Sequence, residues 1–408
     1  MTLTRVVATA VVLSCMTGSL HASPQESAAP TPVREDARAQ FPSFLVDSYF
    51  SVSLGYIGYD FSEQQLGPGF HADSIAIPHV AARIALFGHQ FNEHLSAQFT
   101  YMRPVNYVAY RDVNGDRSAH HVWMHFGGLS LTSRVPLTGR VSVYGEGGLG
   151  ITSRHGFATD GKVAVPSATY ASVLLGAGLE YRVNRAWDLT SGVTYLPGQS
   201  SNDQGHTFVT TGGFRYTMRQ LSADRVEATR RSGFVFPVNL LQVEYSTGVG
   251  YGINTFVSRR VPIFWGGNVK VDRGVAVHYE RNVFHTKKVF ALDFGASTSV
   301  WRSQSDRVKF FTLSAYPLLR FTLVRTKPAD FYLCYSLAGP TYISQSIIDG
   351  LDTGRHFTFQ DFMGMGVFVG KRRNVSVGVK INHYSNGNVF TNNAGVKIPL
   401  TFGLGYMF

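Results

Sequence analysis

His383 and Ser385 are the two residues of this chain whose types and spacing could do chemistry together. A serine hydroxyl is a poor nucleophile until a neighbouring imidazole accepts its proton. Side chains at i and i+2 of a β-strand leave the same face, within reach of each other. Residues 373–385 read as such a strand, because Val375, Val377, Val379 and Ile381 line up on one apolar face. The same parity puts His383 and Ser385 on that face. Polar groups turned toward lipid raise the free energy unless they are paired, so the pair fits an activated nucleophile aimed at an acyl ester. A wet rim, where the strand becomes a loop, fits the spacing as well.

The elements that must hold such a pair are strands throughout. Only 15% of the 408 residues are charged, whereas 44% are hydrophobic, 13% are aromatic and 42 are glycine; an average soluble chain carries about a quarter charged residues. After position 22 no apolar run is long enough for a helical membrane span. Arg5, the apolar stretch from Val6 to Met16 and the small residues Gly18, Ser19 and Ala22 read as a signal peptide over 1–22. Residues 23–40 read as a flexible tail. Cys334 is alone once the leader is gone, so the mature chain has no disulfide framework. In an exported chain the net charge of +11 points to anionic lipid headgroups rather than nucleic acid.

From residue 41 the chain alternates apolar with polar or small residues, the period-two signature of an outer-membrane barrel. In the last segment Ile398, Leu400, Phe402, Leu404, Tyr406 and Phe408 form one face. Eight strands are expected within 41–218, including one over 75–88, with a loop at 111–119. The charged segment 219–237 reads as a periplasmic linker. Eight more strands follow in 238–408, beginning with 241–251 and a long loop at 252–267. The expected fold is all-β: two tandem eight-stranded antiparallel transmembrane β-barrels, with one sixteen-stranded pore as the alternative. The first octet resembles an OmpA-like barrel in its pattern. Long connections alternate with short ones, which puts the long loops outside the cell and both chain ends in the periplasm.

His383-Tyr384-Ser385-Asn386-Gly387, followed by Asn393-Ala394-Gly395 and a closing aromatic strand, resembles the PagL-type lipid A 3-O-deacylases. Phe357-Thr358-Phe359-Gln360-Asp361 and Gly364-Met365-Gly366 are similar to that family's penultimate hairpin. The resemblance implies an outer-membrane esterase of the Gram-negative envelope that removes the 3-linked acyl chain of lipid A, with no cofactor and no metal. It implies His383 as general base, Ser385 as nucleophile and Asn386 as a contributor to the oxyanion site. The family's acid falls on Lys397, a cation that disfavours the imidazolium formed in acyl transfer. A hairpin turning near Lys371-Arg372 pairs residues whose numbers sum to about 744, which sets Asp361 opposite His383 as a replacement acid. Asn388, Asn392 and Asn393 are alternatives.

Arg259, Arg260, Arg302, Arg307 and Arg355 fall at long-loop ends, where they could hold lipid A phosphates or form a solvated rim. The expected partners are lipopolysaccharide and the outer membrane, with no nucleic acid; a homo-oligomer is compatible with the pattern. The competing function is a non-enzymatic structural or adhesive barrel whose esterase site has decayed. The run from Gly145 to Gly150 lies mid-strand without a following helix, so Glu146 is expected to pair with an interior arginine rather than to open a phosphate loop.

Overall fold

The computed structural model describes residues 36–232, 238–260, 266–387, 390 and 392–408. The expected signal peptide, residues 23–35 of the tail and Asn388 lie outside the described residues. Alternation becomes strand because every second side chain can then leave the sheet toward lipid while its neighbours fill the interior. The first octet is β1 (Ser48–Gly58), β2 (Val80–Gln90), β3 (Leu95–Pro104), β4 (Asp116–Pro136), β5 (Val141–His155), β6 (Ala168–Arg182), β7 (Trp187–Leu196) and β8 (Thr207–Thr217). Each pairs antiparallel with the next, and β8 returns to β1.

The second octet is β9 (Asn239–Ser246), β10 (Val269–His285), β11 (Phe290–Ser303), β12 (Lys309–Arg325), β13 (Ala329–Ile343), β14 (Phe357–Val369), β15 (Val375–Ser385) and β16 (Val396–Met407). It closes through β16 onto β9. Two closed eight-stranded antiparallel barrels are therefore present, and the sixteen-stranded alternative is excluded because each octet seals its own edges.

An eight-stranded barrel is just wide enough for side chains to fill, so charges inside it must be paired. In the first barrel Arg83 meets Glu146 at 2.7 Å, as expected, while Arg134 and Arg215 share Glu180. In the second, Lys380 lies 2.6 Å from Glu244, and Arg320 lies 2.6 Å from Glu280 and 2.7 Å from Asp293. Asn282 donates to Asp293 at 2.7 Å and accepts from Arg38 at 3.0 Å.

That last contact departs from the flexible tail expected over 23–40 at its final residues, 36–40. Residues Asp36–Ala39 form a 3-10 turn, Arg38 and Ala39 are buried, and Phe41 stacks on Phe284 at 4.1 Å. Gln40 exchanges two hydrogen bonds with the backbone of Leu221. Buried Ala39, Phe41 and Leu45 give this strap a packed face that a tail free in water would leave wet. Other segments differ from the alternation reading for local reasons. The strand expected over 75–88 breaks before Val80 because Pro78 has no N–H to give a ladder. Its first part, Ser74–Ala76, pairs instead with a short strand Val108–Val113, which also pairs with the start of β4. The expected loop at 111–119 is thus largely hairpin. A helix α1 (Ala223–Arg230) occupies part of the linker segment. β9 stops at Ser246, Gly248 and Gly250 take positive φ, and α2 (Tyr251–Arg260) follows where a plain loop was expected.

Removing one partner of a buried ion pair leaves the other charge uncompensated, at a cost of about 3 to 5 kcal/mol. Lys380→Met is therefore expected to lower the urea midpoint of the detergent-folded protein strongly, whereas an unchanged midpoint would show that the Glu244 pair is not required.

Candidate active site

The β14–β15 hairpin turns between Val369 and Val375, and its register sets Asp361 opposite His383 and Phe359 opposite Ser385. On the other side β16 sets Lys397 opposite His383. Asp361, His383 and Lys397 thus form one row across three neighbouring strands. A register shift between the pairs Lys380–Thr401 and Asn382–Ile398 makes this possible. Beyond the shift, Ile398 and Val396 join the interior cluster of Trp301 and Tyr384, so Ile398 does not continue the outer apolar face expected for it.

Within the row, His383 Nδ1 stands 3.7 Å from Asp361 Oδ2, an ion-pair separation longer than a direct hydrogen bond. Asp361 Oδ1 accepts the Ala338 N–H at 2.8 Å. That donor exists because β13 bulges between Ser336 and Gly339, with Ala338 at φ +42°, just before Pro340 interrupts the ladder. Ala338 was not singled out from sequence; Gly339-Pro340 inside a strand is the signal that could have found it. The imidazole is 0% exposed and Asp361 3%, while Ser385 is half-buried. Gly395, at φ +59°, closes over the ring: a Cβ there would lie 3.4 Å from Nε2 and 3.2 Å from the Gly267 Cα. A side chain at 395 would be strained by both backbone and space.

Asn386, expected to contribute to the oxyanion site, has its donors engaged by loop atoms. Its Nδ2 donates to the carbonyls of Thr353 (3.1 Å) and Asn392 (2.7 Å), and its backbone N–H donates to Asn393 Oδ1 at 3.0 Å. All three of its N–H donors are spent, so it clamps two long loops together. Asn392 donates to Asp352 at 2.7 Å and so belongs to the same clamp. Of the five arginines, the structure joins Arg302 and Arg307 through Asp272, with Arg307 at 2.6 Å. Arg355 instead lies over the Phe390 ring at 5.4 Å. Arg259 and Arg260 end α2, and their side chains lie outside the described residues.

The His383 imidazole and the Asp361 carboxylate therefore approach one another at the long-loop end of the second barrel, with Ser385 two residues further along the same strand. Residues 273–404 match the family model of lipid A 3-O-deacylase (PagL). Residues 46–227 match that of the OmpA-like transmembrane domain. These matches divide the chain as its two barrels do and make it an outer-membrane β-barrel protein of the Gram-negative type. Among solved structures, the outer membrane enzyme PagL is 15% identical, covering 42% of this chain and 99% of its own, at a TM-score of 0.30. The attachment invasion locus protein Ail of Yersinia pestis, in complex with the heparin analogue sucrose octasulfate, is 15% identical, covering 42% and 100%, at 0.27. The N-terminal barrel of Pseudomonas aeruginosa OprF is 13% identical, covering 42% and 97%, at 0.26. No curated protein matches the sequence.

Asp361→Asn is expected to keep the folded, heat-modifiable band, because the amide oxygen can still accept the Ala338 N–H. It should lower ester hydrolysis by about two to four orders of magnitude, as acid-to-amide changes do in serine triads. Full turnover in this variant would mean that another group orients His383.

Proposed function

We propose that this protein is an outer-membrane serine esterase that removes the 3-O-linked acyl chain of lipid A. The observation that carries the reading is the approach of the Asp361 carboxylate to His383 Nδ1, with Ser385 two residues along the same strand face. In the proposed reaction His383 takes the Ser385 Oγ proton as Oγ attacks the ester carbonyl. The tetrahedral intermediate expels the sugar 3-oxygen, which receives that proton from the imidazolium. Water, deprotonated by the same ring, then hydrolyses the acyl-serine to a free fatty acid. Asp361 stabilises the imidazolium in both steps, the role of the acid in a serine triad. The proposed orientation turns the long loops outward, so that Ser385 reaches the leaflet holding lipopolysaccharide.

A second reading, a structural or adhesive barrel with a decayed site, draws on Lys397, which stands directly opposite His383 where the resembling family carries its acid. The two readings differ in the lipid. Mass spectra of lipid A from cells making the protein should show loss of one ester-linked hydroxyacyl chain. Ser385→Ala should restore the full mass while leaving the folded band in place. Identical lipid A with and without the wild-type protein would favour the second reading.

A further inference from the structure

On the outer face of the second barrel, Lys397 of β16 stands beside Lys270 of β10 in the parallel register that follows the end of β9. Arg273 of β10 is paired directly with Arg302 of β11, and Arg302 is paired directly with Lys309 of β12. Like charges opposite one another across strands are destabilising, yet here they run across four neighbouring strands. Arg307, on the β11–β12 turn, adds a sixth cation. Asp272 accepts from Arg273 at 3.1 Å, Arg307 at 2.6 Å and Arg302. The turn above carries Asp306, which is exposed.

The height of this row is set by what lies beneath it. The pairs one step closer to the barrel's middle on this face, Val275 with Val300 and Val300 with Phe311, are apolar. They are 43%, 58% and 42% exposed and begin the lipid-facing band. The cations therefore sit where hydrocarbon gives way to headgroups, the level at which a lipid's phosphates lie. Because Lys397 is the direct partner of His383, this is also the level of the proposed catalytic ring. Lys270 lies two strand spacings from it, about 10 Å.

We infer that this ladder is a phosphate-binding subsite for the headgroup of a phosphorylated glycolipid, holding it while an acyl ester reaches Ser385. The inference rests on the esterase reading for the identity of the lipid. It also gives Lys397 a positive role. With the carboxylate supplied from β14 by Asp361, the β16 position is available to a cation that extends the row. Phosphate oxygens accept charge-assisted hydrogen bonds from several cations at once, which offsets the repulsion that the cross-strand pairs otherwise carry. The sugar is then held from one side of His383 while its acyl chains run down the apolar face below.

The test uses the full-length Ser385→Ala protein in non-ionic detergent micelles, so that nothing is turned over. It is titrated with bis-phosphorylated lipid A, with the same lipid freed of phosphate, and with inorganic phosphate. The phosphorylated lipid is expected to bind at least about tenfold more tightly than the dephosphorylated one. The double variant Arg302→Gln/Lys309→Gln should erase most of that difference while Arg302→Lys keeps it. If the double variant fails to fold, Lys270→Gln carries the same expectation at smaller size. Equal affinity for the two lipids would overturn the inference. So would inorganic phosphate saturating the site over the same concentration range, which would mark an unspecific anion site. Hydrolysis by the wild-type protein is scored separately. Phosphate-dependent binding without hydrolysis would sink the esterase reading alone, and hydrolysis with phosphate-independent binding would sink the ladder alone.

Discussion

A polar side chain on the outward face of a membrane strand has no water to turn to, so it must find a partner on a neighbouring strand or rise to headgroup level. The organisation of the second barrel follows from that constraint. His383 lies on the outward parity of β15 and meets Asp361 across the hairpin. The cations of β10, β11, β12 and β16 gather at the rim, one step above the apolar band. Charges that point inward face the same requirement in a barrel too narrow for bulk water, and there Glu244, Glu280 and Asp293 are met by Lys380 and Arg320.

The same constraint explains why the site is covered. Gly395 packs against the ring and beside Gly267, and Asn386 ties together the loops that carry Thr353 and Asn392. His383 is thereby shielded from both lipid and water, while Ser385 is half-buried. At the opposite end of the barrel, Arg38 and Phe41 fasten the segment before β1 to Asn282 and Phe284 of β10. That end is therefore braced by a piece of chain from outside the second octet.

Much of this was legible in the sequence where the physics is local. Period-two alternation marked the strands, and a turn near Lys371-Arg372, found between Val369 and Val375, gave the hairpin register that sets Asp361 against His383, since a slip of one residue would turn every side chain to the other face. The parity of Val375 to Ile381 carried through to His383 for the same reason. What was not legible depends on non-local pairing or on breaks in the ladder. Lys397 joins the rim ladder only because β9 ends early and lets β10 meet β16. The Ala338 donor to Asp361 comes from a bulge. The shift beside Ile398, and the spending of the Asn386 donors on loop carbonyls, likewise need three dimensions to be seen.

The central claim is that Ser385 is a nucleophile activated through His383 and Asp361. Its most direct measurement is covalent: incubation of the folded protein with a long-chain alkyl fluorophosphonate, followed by digestion and mass spectrometry of the modified peptide. The account predicts one adduct, on Ser385, forming at a rate that falls by orders of magnitude in Asp361→Asn. An adduct on another residue, no adduct at all, or a Ser385 adduct forming as fast without the carboxylate would contradict it.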